Sequence, residues 1–232
     1  MADKTVLITG ATGNLGRAVA ESFLKEGARL ALVGSRKESL ERAYGGLAAE
    51  HLGLAADLGD ALAAAGAVAE AERVFGRIDA VCAIAGAFEM GGAVHEAPPE
   101  LAERMMKANV ATMVNVVRAA VPGMIARKSG KIVTIGSTAA LKGTAGMGAY
   151  TASKSTVMRL TESMAAELRG SGINVNCVLP STIDTPENRA GMPKADFSKW
   201  VKPVELAAVI AFLCSDGASA MHGALVPVVG LV

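Results

Sequence analysis

The sequence predicts an α/β fold, in which a doubly wound, Rossmann-like parallel sheet is flanked by helices within a single domain of residues 1–232. Short apolar runs alternate with helical patterns along the whole chain, and this alternation is typical of a parallel sheet covered on both faces. A glycine-rich turn follows the first apolar run and leads into a helical pattern. No linker, internal repeat or low-complexity stretch divides the chain, so we expect one domain.

The strands are predicted from short runs rich in Val, Ile and Leu, one of which, at 78–86, is apolar except for Asp79. The predicted strands are Val6–Thr9, Arg29–Val33, Leu52–Ala56, Ile78–Gly86, Lys131–Ile135, Ile173–Pro180 and Leu225–Val229. Patterns with helical spacing lie between them. The predicted helices are the segment from the glycine-rich turn to Gly27, then Glu38–Ala43, Ala61–Phe75, Glu100–Met124, Ala149–Arg169 and Pro203–Cys214.

One long segment has no clear secondary structure in its pattern. Residues 187–202 lack strong periodicity, and we predict a substrate loop at about 181–202 because so long a loop in a compact domain is usually functional or mobile. Apolar side chains in this loop and in the other loops at strand ends would form a wall for a flat substrate, and the alternative is that each belongs to the core: Phe88, Met90, Met147, Met192, Phe197 and Trp200.

The composition is that of a globular protein and excludes several classes of function. The formal net charge is +1, so no basic excess indicates nucleic-acid binding. The first strand begins at once and no apolar run is long enough to span a membrane, so we expect a cytoplasmic protein. Cys82, Cys177 and Cys214 are scattered and are expected to be reduced core thiols. The three histidines lie far apart, and no metal site is predicted.

The glycine-rich turn predicts a site for a nucleotide. A strand, a glycine-rich turn and a helix together present backbone N–H groups at a helix N-terminus, where a pyrophosphate can bind. The alternative is a plain tight turn. The spacing Gly10, Gly13, Gly16 differs from the usual G-x-G-x-x-G. The candidate cofactor-binding residues of this turn are Gly10, Thr12, Gly13, Asn14, Leu15 and Gly16.

The ends of the second and third strands bear on the choice of cofactor. In a doubly wound fold the end of the second strand faces the adenine ribose, where a carboxylate would favour NAD. Here Ser35, Arg36 and Lys37 provide a hydroxyl and two cations, which suit a 2′-phosphate, so NADP(H) is preferred and NAD(H) remains possible. A solvated basic turn is the alternative interpretation. Asp57, followed by Leu58, lies where a strand tip would reach the adenine edge.

Tyr150 and Lys154 are the strongest candidates for chemistry. They are four residues apart, so on a helix they share one face. A phenol has a pKa of about 10 and needs a neighbouring cation to act as an acid or base at neutral pH. Ser137, at the end of the preceding strand, would hold a substrate oxygen beside the phenol. The alternative is a surface helix that happens to carry a Tyr and a Lys.

Asn109 lies in the middle of a predicted apolar helix, although Asn is a weak helix former. Two explanations are open. Its side chain bonds a backbone carbonyl in the core, or it distorts the helix to hold a water.

The ordered set of these motifs resembles the short-chain dehydrogenase/reductase family over nearly the whole chain: Thr9-Gly10-x-x-Gly13-x-Leu15-Gly16, Asp57, Asn109, Ser137, Tyr150-x-x-x-Lys154 and Pro180. The resemblance implies an NAD(P)-dependent oxidoreductase acting on a small carbonyl or alcohol. Tyr150 would be the general acid/base, and Lys154 would bind the nicotinamide ribose and lower the Tyr150 pKa. Ser137 would polarise the carbonyl, and Asn109 would hold the water of a proton relay.

The same resemblance extends to further contacts and to assembly. It implies cofactor contacts from the ends of the fourth and sixth strands, at Ala85, Gly86, Pro180 and Ile183, as well as from Tyr150 and Lys154. Family members are commonly homotetramers or homodimers, so we expect one of these states.

Two alternatives remain open at this point. The stretches 139–147 and 184–193 are similar to dihydropteridine reductases, which implies reduction of a quinonoid pterin. Ser137, and the lack of an Asp at the end of the second strand, argue against that activity. The other alternative is a catalytically silent NADP-binding module, which would not need Ser137, Tyr150 and Lys154 together.

Overall fold

A parallel sheet forms the centre of the molecule. The structure, a computed structural model, describes residues 1–46 and 51–232. In these residues seven strands pair in the order β3-β2-β1-β4-β5-β6-β7, and all neighbours are parallel. The doubly wound fold is therefore confirmed. The strands are β1 (Thr5–Thr9), β2 (Arg29–Gly34), β3 (Leu52–Ala55), β4 (Ala80–Ala83), β5 (Gly130–Ile135), β6 (Ile173–Pro180) and β7 (Leu225–Val228).

The strand order reverses at β1, which pairs with β2 on one side and with β4 on the other. Val6 lies opposite Leu30 in β2 and opposite Ala80 in β4. The connections that leave β1 and β4 therefore run to opposite sides, and a crevice opens at the carboxyl ends of these two strands. This crevice is where a ligand of such a sheet is expected to bind.

Helices cover both faces of the sheet, which explains why the strands are apolar throughout rather than alternating. Leu7 of β1 packs into the core on one side and Ile8 into the core on the other. α3, α5 and α6 cover the first face, and α1 and α8 cover the second. The helices are α1 (Asn14–Lys25), α2 (Lys37–Tyr44), α3 (Ala61–Phe75), α4 (Pro99–Met106), α5 (Thr112–Arg127), α6 (Gly148–Leu168), α7 (Pro186–Gly191) and α8 (Pro203–Cys214).

The predicted single helix Glu100–Met124 is instead two helices joined by a π-helical turn, Lys107–Ala111. By length and composition alone, the continuous span Pro99–Arg127 is apolar enough to cross a membrane, which corrects the expectation that no run is long enough. In the fold, one side of this span packs in the core through residues such as Val116 and Met124. Core packing therefore accounts for much of its apolar character.

Two other boundaries differ from the sequence prediction. The fourth strand was expected over Ile78–Gly86 but spans only Ala80–Ala83, because the Ile84 N–H turns back to the Cys82 carbonyl (3.0 Å) and the chain leaves the ladder. The predicted loop at 181–202 contains α7 and a 3-10 turn, Phe197–Lys199. Ile183 also forms a parallel bridge with Val201, which closes this segment on itself.

Candidate active site

The glycine-rich turn is shaped by close backbone contacts. Gly10 has a φ of +63°, and a Cβ there would lie 3.0 Å from the Ala85 backbone. A Cβ on Gly16 would lie 2.2 Å from the Gly10 carbonyl oxygen. Only glycine fits these two positions, so the turn, the start of α1 and the end of β4 are held against one another.

The N-terminus of α1 fits an anionic group. The helix begins at Asn14 after Gly13, which has no side chain to cap the first N–H groups, and the first turn carries no acidic residue. These N–H groups lack partners within the helix, and the helix dipole is positive at this end. The residues present therefore suit a dinucleotide pyrophosphate, as the sequence predicts.

Two side chains that the sequence analysis missed support this turn. The Thr9 hydroxyl accepts a hydrogen bond from the Ala85 N–H (3.0 Å), and the Tyr44 hydroxyl donates to the Ala11 carbonyl (2.6 Å). Burial raises the pKa of Tyr44 to about 12, so its hydroxyl remains a donor. Thr9 could have been suspected because it ends the first strand. Tyr44 is 33 residues from its partner, and no local pattern indicates the contact.

The residues expected at the adenine side lie at neighbouring strand ends. Ser35 and Arg36 directly follow β2 and are exposed. A Cβ on Gly34 would lie 3.2 Å from the Thr12 side chain, so the end of β2 abuts the glycine-rich turn. Lys37, which follows Arg36, pairs with Glu41 one helical turn later (3.7 Å).

The turn after β3 is held by contacts with the π-helical turn and with α5. Asp57 is exposed and forms an ion pair with Lys107 of the π-helical turn (3.6 Å). Leu58 is buried, and its carbonyl accepts a hydrogen bond from Asn115 (2.9 Å). A cavity of about 470 Å³ opens here, and Asp57 and Gly86 are among its lining residues. This space extends from the predicted adenine side toward the end of β4.

Ser137 and Tyr150 come together as predicted. Ser137 follows β5 and is buried, and Tyr150 lies in the first turn of α6. Burial raises the pKa of Tyr150, and hydrogen bonding with Ser137, not Lys154 as the resemblance implies, acts in the opposite direction. The Phe88 ring packs edge-on against the Tyr150 ring, with centroids 4.8 Å apart. The phenol therefore lies between a hydroxyl and an apolar wall. Trp200, which the sequence analysis placed in the substrate wall, is instead buried against Phe197.

Lys154 lies one helical turn beyond Tyr150 and is buried. Its Nζ donates to the Ile135 carbonyl at the end of β5 (2.9 Å). Burial lowers the pKa of Lys154 from 10.5 to about 8. A Cβ on Gly86 would lie 3.3 Å from the Lys154 Nζ and 2.5 Å from the Asn109 Oδ1. Gly86 is therefore required for these two side chains to meet beside the end of β4.

Asn109 connects three segments of the site. Its Oδ1 accepts from the Ala87 N–H (2.9 Å), and its Nδ2 donates to the Ala87 carbonyl (3.0 Å) and to the Ser153 hydroxyl (3.0 Å). Ser153 in turn donates to the Tyr150 carbonyl (2.8 Å). Both sequence explanations hold in part, since Asn109 bonds a backbone carbonyl and also lies in the π-helical turn. Ser153 was missed, although it stands three residues after Tyr150.

The substrate loop begins where β6 ends. The Pro180 carbonyl accepts a hydrogen bond from Thr138 (3.3 Å). Asp184 and Arg189 form two hydrogen bonds of 2.6 and 2.8 Å, which lower the pKa of Asp184. Asn14 of the glycine-rich turn donates to Glu187 of α7 (2.8 Å). The loop is therefore joined directly to the predicted pyrophosphate site.

Comparison with known proteins identifies the family. The model of the family described as short chain dehydrogenase matches residues 4–195. Dehydrogenase/reductase SDR family member 4 of Oryctolagus cuniculus is 30% identical over 243 residues, which cover 99% of this chain and 94% of the relative. 2-(S)-hydroxypropyl-CoM dehydrogenase 3 of Xanthobacter autotrophicus is 33% identical over 247 residues, which cover 98% and 96%.

Solved structures agree with this assignment. Levodione reductase superposes with a TM-score of 0.93 at 29% identity, covering 99% of this chain and 97% of that structure. NAD⁺-bound xylitol dehydrogenase superposes with a TM-score of 0.91 at 28% identity, covering 99% and 98%. The chain belongs to the short-chain dehydrogenase/reductase family of NAD(P)-dependent oxidoreductases.

Proposed function

We propose that this protein transfers a hydride between a nicotinamide cofactor and a small carbonyl or alcohol, with Tyr150 as general acid/base. The observation that carries the proposal is the placement of Ser137 beside the Tyr150 phenol, one helical turn from the buried Lys154. When bound, the nicotinamide supplies or accepts the hydride. Proton transfer and the positioning of the substrate are carried out by side chains of this protein.

In the reducing direction, the Tyr150 hydroxyl donates a proton to the substrate oxygen. Ser137 holds that oxygen beside the phenol, and Phe88 provides an apolar surface for the rest of the substrate. The raised pKa of Tyr150 keeps the phenol protonated at neutral pH, which suits a proton donor. In the oxidising direction, the positive charge of Lys154 stabilises the phenolate that takes the proton from the alcohol.

Lys154 and Asn109 position the acid–base group. Lys154 is held at Ile135 and would also contact the nicotinamide ribose. Asn109 fixes the Ala87 backbone and, through Ser153, the first turn of α6, and its place in the π-helical turn suits a water in a proton relay. Ala85, Gly86, Pro180 and Ile183 lie at the strand ends where cofactor contacts are proposed.

NADP(H) is the proposed cofactor. Arg36 and Ser35 follow β2 beside Thr12 and supply a cation and a hydroxyl for a 2′-phosphate. We expect Arg36→Asp to weaken NADPH binding by about tenfold or more, the loss of one charge-assisted contact, while NADH binding changes less. Fluorescence titration measures both constants. Tighter binding of NADH than of NADPH by the unaltered protein would contradict this cofactor choice.

The protein is proposed to act in the cytoplasm. The three cysteines are buried and free, which suits a reducing compartment. Fractionation of the native host cells tests this location.

Tyr150→Phe tests the mechanism, and the second tyrosine of the chain, Tyr44, provides the matched control. We expect Tyr150→Phe to reduce kcat by about 10²-fold or more with the cofactor Kd nearly unchanged, because only the proton is lost. Tyr44→Phe removes the bond to Ala11 in the glycine-rich turn, so it should raise the cofactor Kd more than it lowers kcat.

The assay follows NADPH oxidation with a panel of small aldehydes and ketones and with a quinonoid dihydropteridine. Normal turnover in Tyr150→Phe would refute the mechanism. If the unaltered protein binds cofactor but turns over no substrate, the silent-module alternative is favoured. Turnover of the pterin alone would favour the dihydropteridine reductase alternative.

A further inference from the structure

Two cysteines that are distant in the sequence lie side by side in the core under the sheet. Cys82 belongs to β4 and Cys214 ends α8, and their Sγ atoms are 3.8 Å apart across 132 residues of chain. Both are buried in the apolar core between the sheet and the helices α1 and α8. A disulfide has an S–S distance of about 2.05 Å. Rotation of the two side chains and a small backbone shift would therefore join them.

One member of the pair borders a cavity at the amino ends of the strands. The candidate active site lies at the other end of the sheet, where the strands have their carboxyl ends. Cys214 lines a cavity of about 350 Å³ together with residues that precede or begin the strands, among them Lys4, Asp79 and Lys131. A cavity of this size admits water and small polar molecules. Cys82 is fully buried and is not among the residues that line it.

The surroundings of the two thiols differ. Cys214 borders the cavity, whereas Cys82 does not. A hydrogen bond with Cys214, followed by burial, raises the pKa of Cys82 well above its usual value. Cys214 is therefore the thiol suited to react first, and Cys82 lies in place to follow.

We propose that Cys82 and Cys214 form a reversible disulfide when the folded protein meets a small hydroperoxide. The Cys214 sulfur loses its proton and attacks one oxygen of hydrogen peroxide, the O–O bond breaks, and the leaving hydroxide takes up that proton, so a sulfenic acid and one water form. The Cys82 sulfur then attacks the Cys214 sulfur, the S–O bond breaks, and a second water leaves. Two thiols lose two electrons and two protons in total, and hydrogen peroxide is reduced to two waters. A dithiol reductant reverses the change.

Cys177 provides the matched control. It is also a free, fully buried cysteine of the same sheet, but it belongs to the core on the opposite face, with α3, α5 and α6. Oxidation that depends only on burial or on peroxide concentration would affect Cys177 as well. Oxidation that depends on the pairing of Cys82 and Cys214 would leave it free.

The test treats the folded protein with graded hydrogen peroxide, removes the peroxide with catalase, then unfolds and alkylates the chain without reductant. Mass spectrometry counts the free thiols. We expect the unaltered protein to fall from three thiols to one, Cys177→Ser to fall from two to none, and Cys214→Ser to keep both. Dithiothreitol should restore every lost thiol. Survival of all three thiols, equal loss in Cys214→Ser, or loss that dithiothreitol does not restore would overturn the proposal.

One further measurement separates a built site from incidental oxidation. The oxidised protein should melt at a higher temperature than the reduced one, because the bond closes a span of 132 residues. Cys214→Ser should show no such shift. An oxidised form that melts lower than the reduced one would overturn the proposal.

Discussion

Lys154 is a buried amine whose charge the folded chain disfavours. Its pKa falls from 10.5 to about 8 because burial removes water from the ammonium, with one hydrogen bond to Ile135 in return. Between these two pH values the unfolded chain binds more protons than the folded chain does. Stability therefore rises with pH across this window, as it does wherever the unfolded state holds more protons. The same burial that positions the amine for chemistry lowers stability at neutral pH.

We expect Lys154 to contribute a rise of about 2 kcal/mol in the free energy of unfolding between about pH 8 and pH 10, since one pKa unit corresponds to about 1.36 kcal/mol. This rise should be absent in Lys154→Met, so the difference between the two proteins isolates the group. The raised pKa values of the buried thiols Cys82 and Cys177 lower stability over the same range in both proteins, so the contribution is read from their difference. Urea denaturation at each pH measures it. The raised pKa of Tyr150 acts above pH 10, where the unfolded phenol ionises first and stability falls. Parallel curves for the two proteins would contradict a buried, charged Lys154.

The glycine-rich turn distinguishes two glycines that the sequence motif treats alike. A Cβ on Gly16 would meet a backbone carbonyl at 2.2 Å, whereas a Cβ on Gly13 would have one ordinary contact at 3.4 Å. We expect Gly16→Ala to weaken cofactor binding at least tenfold and to lower stability by about 1–3 kcal/mol, as overpacking does. Gly13→Ala should change both much less. Cofactor titration and thermal melting measure the pair, and equal effects would refute the geometric distinction.

Among the elements, α1 and α7 share a contact that bears on cofactor binding. Asn14 donates to the Glu187 carboxylate at the helix end where the pyrophosphate is proposed to bind. The pKa of Glu187 is lowered, first by its own backbone N–H and further by Thr185 and Asn14, so this carboxylate is charged at neutral pH. A bound pyrophosphate would therefore face a negative charge and would compete for the Asn14 amide.

We expect Glu187→Gln to tighten cofactor binding about two- to fivefold, because an exposed negative charge beside the pyrophosphate is removed. The gain should shrink at 1 M salt, where charge interactions are screened. Titration at low and high salt measures both effects. Glu167→Gln is the matched control, because it removes the same charge from the far end of α6. Weaker binding in Glu187→Gln would show that the carboxylate supports the site instead.

At the scale of the whole molecule, the alternation of strands and helices was enough to predict the fold, because that pattern admits few packed arrangements. The candidate site followed from two local signals, the glycine-rich turn and the Tyr150–Lys154 spacing. The apolar pattern did not show where β4 ends, since Ile84 remains apolar after the hydrogen-bond ladder stops. Asn109 signalled an irregular helix without specifying a π-helical turn.

The remaining contacts join residues whose separation exceeds any local pattern. Asn14 and Glu187 are 173 residues apart, and Cys82 and Cys214 are 132 apart. Neither contact could be inferred from the segments in which its two members lie. Only the folded sheet, which brings the β1 turn beside the loop after β6 and places α8 under β4, reveals them.

The outer face of Pro99–Arg127 supports the proposal of a homotetramer or homodimer. A helix that packs on a sheet usually has a polar outer side, yet Val114 and Ile125 are 37% and 43% exposed. We expect light scattering to give two or four copies, and Val114→Glu combined with Ile125→Glu to shift the protein toward monomers. Leu62→Glu, on an exposed residue of α3, is the control and should leave assembly unchanged. A monomer before any substitution would refute the proposal.

The position of each strand along the chain also sets the order in which a nascent chain can form the parts of the candidate site. β1, β2 and β4 all lie within the first 83 residues, so the glycine-rich turn and its Ala85 support are synthesised early. Ser137, Tyr150 and Lys154 emerge later, and they need β5 and β6 in place beside β4. A chain halted after α4 already carries the residues that shape the pyrophosphate turn but none of the three side chains proposed for proton transfer. The residues that shape the proposed pyrophosphate turn are thus encoded upstream of those proposed for proton transfer.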